Sequence, residues 1–214
     1  MIIALVAVTV LSIESLYSGF FLTTGQLVAT LILIWYLNLN QEDLGLAYKK
    51  SRFSLHLLSV FSLLIIVLLV KYLVEGVEAI NEISFTMVYY FFFYILVAIT
   101  EELYFRGVVY HLLESRSKYA ALIGSSVIFG VFHIRMGIFV VLIMIFTGLS
   151  FAVVRYVSGM NLLLIPFHFL FNFQSALFVF NDSTEFSAVL YLALSILVVI
   201  IFGFIESRTE KTAP

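Results

Sequence analysis

The sequence predicts an all-α, polytopic membrane bundle, and three observations lead there. Hydrophobic residues fill 63% of the 214 positions and charged residues only 11%, too little polar surface to coat a soluble globule. The apolar residues fall in runs of bilayer-crossing length separated by short polar turns. No segment alternates apolar and polar residues as membrane-barrel strands do, so helices, which satisfy their own backbone groups, are the spanning elements.

A crossing needs about 20 mostly apolar residues. On that rule eight segments qualify, over residues 2–20, 23–39, 53–74, 83–113, 119–134, 138–157, 161–180 and 186–205. The first begins directly after Met1 without the basic stretch of a cleaved signal peptide, so it is expected to be retained. The fourth is too long for one crossing; it tilts, or its second half leaves the lipid. Three parts result: residues 1–82 with three spans, residues 83–181 as the core that carries the buried polar groups, and residues 182–214 with the last span and a polar tail.

Lys49, Lys50, Arg52, Arg116, Lys118, Arg155, Arg208 and Lys211 fall on one side of this arrangement, and only Lys71 and Arg135 on the other. The excess of Lys and Arg marks the cytoplasmic face, which puts both termini in the cytoplasm of a multi-pass cell-membrane protein. A net charge of -2 offers no basic face for nucleic acid. With no Cys, disulfides, thiolate catalysis and Cys-ligated metals are excluded.

Ionisable residues cost about 2.5–3.5 kcal/mol each at the centre of a spanning helix, so they face a protein interior and mark functional sites. Three apolar runs contain such points. Thr100-Glu101-Glu102-Leu103-Tyr104-Phe105-Arg106-Gly107 interrupts the fourth, His133 ends Phe129-Gly130-Val131-Phe132 in the fifth, and His168 and Asn172 lie in the seventh. Spans four and five form a hairpin around residues 114–118, and Glu101 and His133 each lie roughly 24 Å from its centre along a helix. The pairs Glu102 with Arg106, Phe129 with His133, and His168 with Asn172 are each four residues apart and share a helix face. One tension is present: His133 is close to the outer turn at residues 135–137, whereas Glu101 is deep in its span.

Each point alone has a plain structural reading, as an ion pair within one helix or as hydrogen-bond glue between helices. Their coincidence in depth favours one shared site. A carboxylate beside an imidazole and away from bulk water is a workable general base, and Glu101 with His133 fits that role. His168 and Asn172 can supply donors for a developing oxyanion, each worth about 2.7–4 kcal/mol. Arg106 can pair with Glu102 and leave Glu101 free, and Pro166 is expected to bend the seventh helix. His56, His111 and Glu14 lack such partners in the sequence and read as structural or interfacial. The aromatic run Tyr89-Tyr90-Phe91-Phe92-Phe93-Tyr94 reads as lipid-facing or packing surface. Zinc-helix, Gly-x-Ser-Gly and intramembrane-aspartate designs are absent, since the only aspartates are Asp43 and Asp182 in loops.

The three blocks resemble the family of CAAX proteases and bacteriocin-processing enzymes. Glu101-Glu102 with Arg106 matches its Glu-Glu-x-x-x-Arg motif, Phe129 with His133 its Phe-x-x-x-His motif, and His168 with Asn172 its His-x-x-x-Asn motif. Asp43-Leu44-Gly45-Leu46 is also similar to bacterial members. The resemblance implies peptide-bond hydrolysis in spans four to seven. Its catalytic residues would be Glu101, Glu102, His133, His168 and Asn172, with Arg106 and Phe129 in support, and its substrate a peptide or protein, including lipid-modified ones. Short loops suggest a bacterial source, with bacteriocin processing or self-immunity as roles beside CAAX-type processing. No cofactor is expected; the alternative is zinc on Glu101, His133 and His168. The competing readings are a non-catalytic membrane immunity or interaction protein and a proton-coupled carrier, the latter disfavoured by the lack of an internal repeat.

Overall fold

The computed structural model describes residues 16–69, 72, 76–180 and, within the last apolar run, 189, 190, 193, 194, 196, 197, 200 and 201. Among these, Ser18–Tyr36, Phe85–Glu114 and Ile138–Ser158 are helices long and apolar enough to cross a membrane. Glu14, most of the first predicted span and most of the eighth lie outside the described residues.

Helix α1, Leu16–Tyr36, is continuous for 21 residues. The break expected near residues 21–22 does not occur, because Phe20, Phe21 and Leu22 contain no turn-forming residue and propagate the helix. A loop then carries Asn40, whose Oδ1 accepts from the backbone N–H of Glu42 (2.8 Å) and of Asp43 (3.1 Å), and leads to α2, Lys50–Leu68.

The expectation of helices alone needs correcting. Strand β1, Val77–Ile80, pairs antiparallel with β2, Phe178–Phe180, with a register shift between Val77 and Ala79. Asn81 extends the junction, donating from its backbone to Leu177 O and from Nδ2 to Ala176 O, both at 2.9 Å. These short strands join two connections at one end of the bundle. Length patterns meant for crossing elements do not register them.

Ser84 begins α3, Phe85–Glu101, by accepting from the N–H of Met87 at 3.3 Å. The rod continues through a π-helical segment, Glu102–Val109, into α4, Tyr110–Glu114. After the predicted hairpin turn comes a second π turn, Ala120–Gly124, then α5, Ser125–Phe132, a 3-10 turn at Ile134–Met136, and α6, Ile138–Ser158. Gly159 ends α6 with φ +68°, in the left-handed region where glycine carries no Cβ penalty.

The seventh predicted span is shorter than expected. Helix α7 covers Leu164–Leu177, 14 residues, and starts after the irregular stretch 159–163. Pro166 therefore lies in the first turn, where its missing N–H has no intrahelical partner to lose and gives no cause for a bend.

The main core joins α2, α6 and α7 through Leu63, Phe151, Val153, Val154, Val157, Leu164 and Phe167. Where α5 crosses α6, a Cβ on Gly130 would lie 2.8 Å from Val141 O and 2.9 Å from Ile145 N. Only a bare backbone permits that approach, and close contact of this kind drives helix association where lipid supplies no hydrophobic gain. The crossing delivers Phe129 and His133 to the site.

Candidate active site

Glu101 is the last residue of α3 and Glu102 the first of the π-helical segment. A π turn closes from residue i to i+5, so it accommodates an extra residue and turns successive side chains through a smaller angle. Both carboxylates reach one imidazole. His168 Nδ1 lies 2.8 Å from Glu102 Oε1, and Nε2 lies 3.7 Å from Glu101 Oε2. The α-helical register assumed from sequence gives way here to a wider one, and π segments recur at functional sites.

Arg106 supports Glu102 from the next turn. Its Nη1 is 3.3 Å from Glu102 Oε1, Nη2 donates to Gly148 O at 3.4 Å, and both side chains are buried. The guanidinium lies over the ring of Phe129 at 4.2 Å and that of Phe151 at 4.9 Å, a cation–π setting that is stronger away from water. Glu102 Oε1 thus faces two cationic or potentially cationic groups. Glu102 Oε2 is buried without a hydrogen-bond partner among the described residues.

His133 closes α5, and its Nδ1 lies 2.8 Å from Phe129 O. A carbonyl only accepts, so Nδ1 carries the proton and, in the neutral ring, Nε2 holds a lone pair. The Phe129 ring meets His133 edge-on at 4.8 Å between centroids and His168 at 6.4 Å. One phenylalanine therefore touches both imidazoles as well as the Arg106 guanidinium.

Glu101, His133, His168 and Asn172 line a single cavity of about 490 Å³, whose remaining wall is largely aromatic and aliphatic, including Phe93, Tyr94 and Phe132. Glu102 and Arg106 do not line it; they sit behind His168. The depth tension resolves because Arg135 and Met136, from the turn after His133, line the same cavity as Glu101. The aromatic run divides its duties: Phe92 is exposed, Phe91 packs edge-on against Phe169 at 5.2 Å, and Phe93 and Tyr94 face the cavity.

Among the described residues, no three or more His, Cys, Asp or Glu are spaced to hold a metal ion. Glu101, His133 and His168 line one cavity.

Several residues acquire partners that sequence reasoning did not assign. His56 is fully buried, its Nε2 accepting from the N–H of Leu163 at 3.0 Å and its Nδ1 lying 3.0 Å from Ser158 Oγ, so it ties α2 to the start of α7. His111 Nδ1 is 3.7 Å from Asp43 Oδ1. Arg155 donates from Nη2 to the carbonyls of Glu42 (3.2 Å) and Asp43 (3.1 Å). Asn161 donates to the backbone carbonyl of Glu102 at 3.0 Å. Only the cost of a polar residue beside an apolar run hinted at Asn161; its partner is 59 positions away.

Among the described residues the fold and site define a helical protein with three helices long and apolar enough to cross a membrane and a Glu/His cluster that opens on one cavity. Residues 83–174 match the family model described as type II CAAX prenyl endopeptidase Rce1-like. This segment, which contains all three motifs, resembles the family of CAAX proteases and bacteriocin-processing enzymes, whose Rce1-like members are membrane proteases. No curated protein and no solved structure matches the chain.

Proposed function

We propose that this chain is an intramembrane endopeptidase in which Glu101 activates water for attack on a peptide carbonyl. The observation that carries the reading is the shared cavity, onto which Glu101, His133, His168 and Asn172 all open. Glu101 takes one proton from the water as its oxygen bonds to the carbonyl carbon. The Nε2 lone pair of His133 accepts a hydrogen bond from the water's other O–H, which stays on the attacking oxygen, the ring being held by its Nδ1–H on Phe129 O.

His168 and Asn172, one turn apart on α7, stabilise the oxyanion. His168 acts through Nε2, the nitrogen that Glu102 does not engage, which requires an imidazolium with Glu102 as its counter-ion. The C–N bond then breaks, and the proton held by Glu101 passes to the leaving amine. Glu102 and Arg106 are positioning residues in this scheme, and no metal is needed.

The same reading makes the protein a multi-pass cell-membrane enzyme whose Lys/Arg-rich face is cytoplasmic. Basic groups gather at one end in support: Arg52 donates to Val157 O at 3.0 Å and Lys118 to Tyr156 Oη at 3.2 Å. The substrate is a peptide or protein segment, in CAAX-type or bacteriocin processing. The test is a substrate-trapping comparison of membranes carrying the parental protein or Glu101→Ala. A polypeptide that accumulates uncut only with the variant is expected; identical peptide profiles from equal amounts of folded protein would overturn the proposal.

A further inference from the structure

Two contacts join the Glu102 segment to α7. One is the His168–Glu102 bond of the site. The other lies seven positions earlier, at Asn161, whose Nδ2 donates to the backbone carbonyl of Glu102 at 3.0 Å. Asn161 is fully buried. Its backbone N–H donates to Gly45 O at 2.6 Å, and its own carbonyl accepts from the N–H of Leu164, the first residue of α7, at 3.1 Å. One residue therefore touches the 40–46 loop, the start of the helix that carries His168, and the backbone that carries Glu102.

The amide orientation follows from its acceptor. Turned over, Oδ1 would face the Glu102 carbonyl, oxygen against oxygen, so Nδ2 must point there. Oδ1 is then left buried without a partner among the described residues, a cost that a residue used only as filler would not impose. The carbonyl it holds belongs to the first residue of the π-helical segment, the point where the backbone leaves α-helical register. The loop on its other side is itself anchored, since Arg155 donates to Glu42 O and Asp43 O. Leu44 packs against Gly107, where an added Cβ would lie 3.0 Å from its Cδ2.

We infer that Asn161 is a positioning residue: by holding the Glu102 carbonyl it sets the register of the π segment against α7 and so keeps His168 Nδ1 on Glu102. As a statement about hydrolysis this rests on the function proposed above; as a statement about geometry it does not.

The test uses the full-length protein in lipid nanodiscs with ¹⁵N-labelled histidine. The chain has four His, and the His168 signals are assigned by comparison with His168→Asn. Asn161→Asp is near-isosteric but replaces the donor with an acceptor, and Asn161→Ala removes the donor without adding charge. Leu63→Ala, in the α2–α6–α7 core and outside the cavity lining, controls for general destabilisation.

In either folded Asn161 variant, the His168 Nδ1 resonance is expected to move from its parental, carboxylate-bonded position toward that of free histidine, and to stay in place in Leu63→Ala. With a cleaved substrate in hand, kcat falls about ten- to a hundredfold, the range of one lost buried hydrogen bond, with KM unchanged. An unmoved resonance in a folded variant, the same shift in Leu63→Ala, or failure of both Asn161 variants to fold would overturn the inference. A shifted resonance in the Asn161 variants of a parent protein that cleaves no peptide would support Asn161 as a positioning residue and overturn only the protease reading.

Discussion

Glu102 Oε1 sits 2.8 Å from His168 Nδ1, a contact that joins residues 66 positions apart. The same oxygen is 3.3 Å from Arg106 Nη1. One carboxylate oxygen thus orients an imidazole across the bundle and offsets a buried guanidinium on its own strand of helix. The neighbouring Glu101 keeps its side chain for the cavity.

If Glu101 is the general base, Glu101→Gln removes proton abstraction while keeping size and hydrogen-bonding capacity. Hydrolysis should fall about 10²–10⁴-fold in kcat, the usual contribution of such a group. The melting temperature in detergent should hold or rise. Single-turnover cleavage of the trapped substrate measures the first, and thermal scanning the second.

Glu102→Ala leaves Arg106 buried beside Gly148 O and the rings of Phe105, Phe129 and Phe151. Breaking a buried pair from one side costs about 3–5 kcal/mol. A marked loss of thermal stability is expected. In Glu102→Ala/Arg106→Met, which removes both charges, much of it should return, so a double-mutant cycle on the two positions reads the coupling directly.

Gly130→Ala places a methyl against the α6 backbone at Val141 and Ile145. Backbone cannot rotate away as a side chain can, so α5 must shift, at about 1–3 kcal/mol for overpacking. His133 rides on α5. Activity should therefore fall more than stability, while Gly137→Ala, where an added Cβ meets nothing within 4 Å, tests only the strain of its φ of +103°.

The metal-free scheme makes a direct statement about chelators. Purified protein treated with a strong zinc chelator should keep its activity, and elemental analysis should find metal well below one ion per chain. Stoichiometric zinc that leaves together with activity, and restores it on return, would reject the scheme.

His56→Ala removes an acceptor from the Leu163 N–H and a partner from Ser158, both inside the fold. Leaving a buried donor unsatisfied costs about 1–3 kcal/mol. Stability should drop by that order, with KM for substrate unchanged, because His56 does not line the cavity.

The helical membrane class and the residues of the site were legible in the sequence for one reason. A polar or ionisable side chain inside a long apolar run is costly enough to stand out without any knowledge of contacts, which singled out Glu101, Glu102, Arg106, His133, His168 and Asn172 as candidates. Tertiary structure decided what those signals do not encode. Residues 16–36 form one helix where two were expected, and α7 begins at Leu164 because the preceding stretch spends its hydrogen bonds on His56 and Gly45. Glu102 and Arg106 lie behind the cavity wall, and the backbone turns π-helical at Glu102. Those choices depend on partners dozens of residues away, Asn161, Gly148 and Leu44 among them. Periodicity reports only which face of a helix is apolar; it carries no information about what arrives to meet the other face.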